Sequence, residues 1–193
     1  MVASTTESPL RKDAARSRAA ILTAARELFS AGRDVPMYEI GRRAGVGQAT
    51  LYRHFSDRSA IVAAISREHV ERIEARAAEH REDPEAILVV LDAAVDMLVC
   101  IHDLLGILRE DITLAPVLDE LRRRMRAVFD GALNRSRAGH VLREEIRTED
   151  LLLVLNMIKG ALTGIATPAQ RATAASRALD LALSGLRDPS RTS

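Results

Sequence analysis

Apolar residues fall at helical spacing on both sides of the tripeptide Gly45-Val46-Gly47. Met37, Ile40 and Ala44 share a face before it, and Leu51 and Phe55 lie one turn apart after it. Two glycines that close together permit a positive φ and a sharp change of direction, which ends one helix and starts another almost at once. The segment reads as two short helices meeting at a turn, with Pro36 opening the first and Gln48 to His54 forming the second. Upstream, Ile21, Leu22, Ala25, Leu28 and Phe29 fall at i, i+1, i+4, i+7 and i+8. That is the apolar stripe of an amphipathic helix beginning near Asp13, and Gly32 is placed to end it.

Helical patterning continues to the C-terminus. Ser56 and Asp57 are good N-caps for a long helix with Ile61, Ile65 and Ile73 on its apolar face, running to about Arg81 and stopping before Pro84. Glu85 to about Leu105 is nearly apolar all round, as a central buried helix is. Pro116 to about Arg137 interleaves Leu118, Leu121, Met125 and Phe129 with arginines, and the run Arg122 to Arg126 reads as an exposed face. Thr148 is a plausible N-cap for a helix to about Ala166, with Glu149 and Asp150 in the first turn suiting the helix dipole. Thr167-Pro168 starts a last helix, which Gly185 and Pro189 close. No period-2 strand run, hairpin signal or internal repeat appears. The chain is expected to be all-α with about nine helices: a mobile tail over residues 1–12, a three-helix unit over 13–67 and a helical remainder over 68–193.

Composition narrows the function classes. With 47% hydrophobic and 28% charged residues, the 193-residue chain is of ordinary globular type, and its single cysteine excludes an internal disulfide framework. The longest apolar run, Ala86 to Ile101, is interrupted by Asp92 and Asp96 and is too short and too charged to span a membrane. The N-terminus has no apolar signal-peptide core, so a reducing cytoplasm is the expected compartment. The net charge of +1 conceals a split. Residues 1–67 carry 11 basic and 6 acidic side chains, and the remainder carries 17 and 21. Four of the five aromatic residues also lie in that first third, which fits two different tasks in one chain.

The two short helices and their turn form a helix-turn-helix, whose second helix can enter the major groove of DNA. Its outer face presents Gln48, Thr50, Tyr52, Arg53 and His54. Glutamine can bond adenine in bidentate fashion, a threonine methyl can pack on thymine, arginine can fork to guanine, and tyrosine and histidine can hold phosphates. The run Ala44-Gly45-Val46-Gly47-Gln48-Ala49-Thr50-Leu51-Tyr52-Arg53-His54-Phe55, followed by Asp57-Arg58 and an apolar helix, resembles the signature of the TetR family of bacterial transcriptional regulators. The resemblance is specific over residues 13–67 and architectural beyond them. It implies base-reading roles for Gln48, Ala49 and Thr50, phosphate contacts for Tyr52, His54 and Arg58, and a neighbouring contact at Tyr38. Gly47 stands where the family commonly has serine, Ala49 where glycine or proline is frequent, and Gly41 where alanine is usual. Arg42 and Arg43 are expected to be solvated or loosely phosphate-facing rather than base-reading.

The remainder is then expected to bind an effector and to dimerise. Ala172, Ala175, Leu179, Ala182 and Leu186 step by 3 and 4 along the last helix, a narrow seam that suits another helix, and Gly160 and Gly164 permit close approach. The resemblance makes helices 148–166 and 168–187 a two-fold homodimer interface, which predicts a palindromic double-stranded DNA operator with half-sites about 34 Å apart. Polar candidates for the effector pocket are Asp96, Cys100, His102 and Asn156, with Asp92 and Asp103 beside them, and the aliphatic surroundings favour an apolar effector. The resemblance also implies that effector binding shifts the long helix after Asp57. No cofactor, metal or membrane partner is called for. Hydrolase, zinc-protease, redox and nucleotide-binding motifs are absent from the sequence, so an enzyme is not expected. The reading is a repressor; an activator or dual regulator of the same fold, or a helical effector-binding protein without DNA function, is the alternative.

Overall fold

A computed structural model describes residues 9–31, 35–104 and 111–188. The regular structure among them is helical: α1 (Pro9–Ala31), α2 (Met37–Ala44), α3 (Gln48–His54), α4 (Arg58–Glu79), α5 (Ala86–Ile101), α6 (Ala115–Ala138), α7 (Thr148–Ala161) and α8 (Pro168–Leu186). Two 3₁₀ turns, His102–Leu104 and Ile112–Leu114, flank the stretch 105–110, and Leu142 pairs with Arg187 in an isolated antiparallel bridge. The chain is all-α, with eight α-helices among the described residues where the sequence predicts about nine.

Local chemistry sets most of the boundaries. Asp57 caps α4, its Oδ1 accepting the Ala60 N–H at 2.8 Å. Thr167 Oγ1 accepts from the Gln170 N–H at 3.2 Å, and Pro168 follows as the first residue of α8. Three boundaries differ from the expectation. Helix α1 begins at Pro9 rather than near Asp13, so residues 9–12 are helical and not tail. Helix α5 stops at Ile101 and tightens into a 3₁₀ turn, as helix ends commonly do. Helix α7 is one residue longer at its start and shorter at its end. The Arg147 N–H donates to Asp150 Oδ2 at 2.8 Å, making Arg147 the N-cap, and Thr148 instead gives its hydroxyl to Asp130 of α6. At the other end α7 finishes at Ala161 and the chain turns through Gly164 at φ 85°, so Gly160 and Gly164 do not share a helix face. The expected stops at Gly32, Leu105 and Pro189, and tail residues 1–8, lie outside the described residues.

The described chain divides into two compact units between Ile65 and Ser66, partway along α4. In the first, α1 packs against α2 and α3. Ile21, Leu22, Ala25, Phe29, Ile40, Leu51, Phe55 and Ile61 are buried there. Two arginines close its aromatic residues from outside: Arg18 lies 5.0 Å over the Phe55 ring and Arg58 lies 5.0 Å over the Phe29 ring.

In the second unit α5 is central, touching α6, α7 and α8. Its Ile87, Val90, Leu91, Ala94, Val95 and Leu98 join Phe129 and Leu133 of α6, Leu151 and Ile158 of α7, and Ala175, Leu179 and Leu183 of α8 in one core. The seam expected on α8 is therefore corrected in part. Its buried stripe is Arg171, Ala175, Leu179 and Leu183, facing the subunit's own core, while Ala172 is exposed. Spacing identifies the apolar face of a helix; it does not say whose helix covers it. Arg171 is buried at 4% exposure because its Nη1 reaches Asp103 Oδ2 at 2.7 Å, joining the start of α8 to the turn after α5. Arg124 of α6 forks onto both carboxylate oxygens of Glu74 in α4, at 2.8 and 2.7 Å.

The Arg124 hydrogen bonds hold the Glu74 carboxyl below the usual carboxylate range, against the opposing effect of partial burial, and the arginine's charge adds to them. A carboxylate whose folded pKa is depressed contributes stability that is fully present above the unfolded value, about 4.3, and is lost as pH falls through the folded value. Glu74 remains about a third exposed, with a side-chain exposure of 35%, so screening limits the effect. Glu74→Gln is expected to lower stability by at most about 1 kcal/mol at neutral pH. The gap between variant and parent in urea unfolding should close as the pH is taken below the carboxylate range.

Candidate functional site

Of the two glycines in the turn between α2 and α3 only Gly45 uses the freedom expected of both; Gly47, the N-cap of α3, has φ −68°, which any residue adopts. Gly45 caps α2 in the left-handed conformation at φ 68°, its N–H bonding the carbonyls of Arg42 and Gly41. The Val46 N–H also returns to Gly41 O, at 3.0 Å. Gly41 is buried, and a Cβ there would stand 3.3 Å from Leu51 Cδ2, so the missing side chain lets α2 lie close on α3. Leu51 is fully buried and Phe55 nearly so, which turns the opposite face of α3 to solvent.

That face carries the residues expected to read DNA. Gln48, Ala49, Tyr52 and Arg53 are exposed, at positions i, i+1, i+4 and i+5, and Thr50 is half-buried beside them. Tyr52 on α3 and Tyr38 on α2 are 51% and 57% exposed, far more than a packing role for either ring requires. Arg42 is bound to Glu39 one turn away, which raises its own pKa and lowers that of Glu39. Arg43 is bound to Glu27 at 2.8 and 2.5 Å. Arg53 has no such carboxylate among the described residues, so its charge is available on the outer face.

The structure places His54 and Arg58 otherwise. His54 is half-buried, its ring 6.5 Å from that of Phe55 and its Nε2 shielded from solvent without a hydrogen-bond partner among the described residues. Arg58, at the start of α4, stacks on Phe29 with Nε and Nη2 out of contact with water. Its sequence position cannot reveal this, because the ring it covers lies 29 residues upstream on α1.

The second unit contains a cavity of about 600 Å³ among α4, α5, α6 and α7. Ser66 and Val70 line it from α4, Met97, Leu98 and Ile101 from α5, Leu118, Leu121 and Met125 from α6, and Leu152 and Leu155 from α7. Of the four polar candidates read from sequence only Asn156 lines it; Asp96, Cys100 and His102 do not. Asp96 and Cys100 sit on the exposed side of α5. Partial burial and the neighbouring Asp92 charge push the Asp96 carboxyl up, with Arg76 opposing. The cavity's other polar members are Asp119, Arg122, Arg123, Arg126 and Lys159. The three arginines belong to the run read as a plain exposed face. They are on such a face, and the arrangement of α5 and α7 opposite makes it the wall of a cavity, which local pattern does not contain.

Among the described residues no cluster of three or more metal-ligating side chains occurs, and no helix is long and apolar enough to cross a membrane.

Comparison with known proteins agrees with this geometry. Residues 21–65 match the family described as bacterial regulatory proteins, tetR family. A solved TetR transcriptional regulator from Streptomyces coelicolor is 30% identical, with 89% of this chain and 99% of that chain covered and a TM-score of 0.68. A TetR transcription regulatory protein from Mycobacterium vanbaalenii is 29% identical over 93% of this chain and 99% of that one, also with a TM-score of 0.68. The transcriptional regulator FadR from Bacillus subtilis, solved in complex with stearoyl-CoA, shares the fold at 18% identity over 88% and 99% of the two chains, with a TM-score of 0.63. Among curated proteins none matches.

The turn gives a direct test of its backbone. Nothing lies within 4 Å of a Cβ added at Gly45, so a substitution there meets no clash and only the positive φ opposes it. Gly45→Val is expected to destabilise the protein by about 1–2 kcal/mol, and Gly45→Asn by clearly less, because asparagine tolerates the left-handed region. Thermal unfolding of the two variants beside the parent checks the order.

Proposed function

We propose, for a chain that belongs to the TetR family of bacterial regulatory proteins, that it is a homodimeric repressor which binds a palindromic operator and is released by a small apolar effector. The family makes it a DNA-binding transcriptional regulator. The observation that carries the operator-binding part is the solvent-facing row Gln48, Ala49, Tyr52 and Arg53 on a helix whose other face is buried through Leu51.

In this reading α3 enters the major groove. Gln48, Ala49 and Thr50 meet base edges at its first turn, Tyr52 gives its hydroxyl to a phosphate, and Tyr38 does the same from α2. Arg53, unopposed by a carboxylate, supplies charge to the duplex. His54 contributes a phosphate contact only from the exposed part of its ring. Arg58, laid on Phe29, serves chiefly to hold the start of α4 to α1. Residues 13–67 form the DNA-binding domain and 68–193 the effector and dimerisation domain.

The dimer reading is supported by apolar side chains left in water on α7 and α8: Leu153 at 59%, Met157 at 65% and Leu181 at 58% exposure. A two-fold partner covers such a patch with its own copy of it. The effector reading is supported by the apolar cavity, and FadR's complex with stearoyl-CoA gives a protein of this fold holding a ligand with a long aliphatic part. Helix α4 is the physical link, for it begins just after α3 and carries Ser66 and Val70 on the cavity wall. Release requires only that the effector bind more tightly to the conformation of α4 that fits the operator poorly.

Random-site selection with the purified protein at moderate salt is expected to enrich a palindrome; no enrichment overturns the reading. Gln48→Ala should change the preferred base at one position of each half-site, by about 1–3 kcal/mol of discrimination. Arg53→Ala should weaken all sites alike and reduce the salt slope by about 1. In sedimentation velocity the parent should be a dimer and Leu153→Glu combined with Met157→Glu a folded monomer. A monomeric parent at micromolar concentration removes the interface.

A further inference from the structure

We infer that the ligand of the cavity is an unbranched aliphatic chain ending in an anionic group, held at that end by Arg123. This rests on the effector reading above only in taking the cavity as the regulatory site.

The cavity is lined by aliphatic side chains and methionines from four helices and by no aromatic ring among the described residues. Thioether and branched aliphatic walls adapt to a flexible chain, whereas a flat ring system gains most from stacking partners that this cavity lacks. Its volume, about 600 Å³, lies in the range of roughly 300–1,000 Å³ that holds molecules of such size.

Charge decides the head of the ligand. Four cations, Arg122, Arg123, Arg126 and Lys159, line the cavity against one carboxylate, Asp119. Three of them have partners in the protein. Arg122 donates to Asp119 at 2.8 Å, Arg126 pairs with Glu149, and Lys159 donates to Asn156 Oδ1 at 2.9 Å. Arg123 has neither an ion-pair nor a hydrogen-bond partner among the described residues, and it is an exposed residue of the cavity lining whose guanidinium offers a planar fork of donors. A carboxylate or phosphate accepts from that fork through two parallel N–H···O bonds while its chain enters the apolar part. A neutral head of the same length leaves the guanidinium to water, and a cationic head is repelled by all four. The unit around the cavity is acidic overall, with 17 basic and 21 acidic side chains after residue 67, so this local excess of cations runs against the general field.

Isothermal titration of the full-length protein with dodecanoate, dodecyl phosphate and dodecanol, each below its micelle-forming concentration, tests the inference. At least one anion should bind about tenfold or more tighter than the alcohol, a charge-assisted pair being markedly stronger than a neutral hydrogen bond, and whichever anion is tighter identifies the headgroup. Arg123→Gln should bring that ratio close to one with the alcohol's affinity unchanged, and Arg123→Lys should restore part of it. Leu118→Phe, which shortens the apolar space, should shift the preference from hexadecanoate toward decanoate. Alcohol binding as tight as both anions, or an Arg123→Gln variant with the parent's ratio, overturns the inference. Operator binding by the same preparations separates the two readings. A selected palindrome with no discrimination among headgroups sinks the ligand assignment alone, while failure to select any palindrome sinks the regulator reading whatever the cavity binds.

Discussion

The burial of Leu51 governs the part of this protein that faces DNA. A helix of seven residues has almost no stability of its own in water, since nucleation is unfavourable and there are few bonds over which to recover it. Helix α3 therefore exists through what it packs against. Leu51 at 0% exposure and Phe55 at 4% place one face in the core of the first unit and leave the other with no structural duty. Gly41 brings α2 close enough to seat Leu51, Gly45 lets the chain reverse in a single left-handed residue, and Arg18 shields the Phe55 ring. Each of these fixes the direction of Gln48 and Arg53 without touching them.

This division of labour explains why the two short helices and their turn were readable from sequence. Their determinants lie within a window of about twenty positions: the spacing of Ile40, Leu51 and Phe55, with Gly41 and Gly45. Helix caps at Asp57 and Thr167 are legible for the same reason, since a carboxylate or hydroxyl bonds an N–H three residues away. Where a boundary depends on a distant partner the reading slips. Thr148 has the side chain of an N-cap, and Asp130 on another helix takes its hydroxyl. Arg58 shows the same dependence on a distant residue, for the ring its guanidinium covers, Phe29, lies on α1.

The cavity was illegible for a related cause. Helix α5 is nearly apolar all round, so its sequence gives no preference for which side meets neighbours, and polar residues such as Asp96 and Cys100 are natural candidates for a pocket. The packing decides the reverse: Ile87, Leu91, Ala94 and Leu98 enter the core and those two face out. The arginines of α6 show the complement. A charged helix face reads as solvated, and it is; yet the same face lines a cavity where an apolar recess opens beside it. Pattern reports amphipathicity, while sites arise from the meeting of faces that lie far apart in the chain.

Net charge was similarly a poor guide until pairing was known. The basic first third keeps less free charge than its composition implies, because Glu39 and Glu27 hold Arg42 and Arg43. The acidic remainder has a local cationic edge, because Asp119 and Glu149 occupy Arg122 and Arg126 and leave Arg123. On the proposed reading the two sites are coupled through a conformational difference, and moving such an equilibrium from 1:99 to 99:1 requires roughly 10⁴-fold differential affinity. A tenfold preference of the size expected at Arg123, about 1.4 kcal/mol, is too small for that. Most of the coupling energy has to come from apolar burial that differs between the two conformations. Val70 lies on that apolar wall, and among the described residues α4 is the one helix that borders the cavity and also begins just after α3. On the proposed reading the charged edge selects which molecule enters, and the aliphatic wall determines how far its entry shifts the protein.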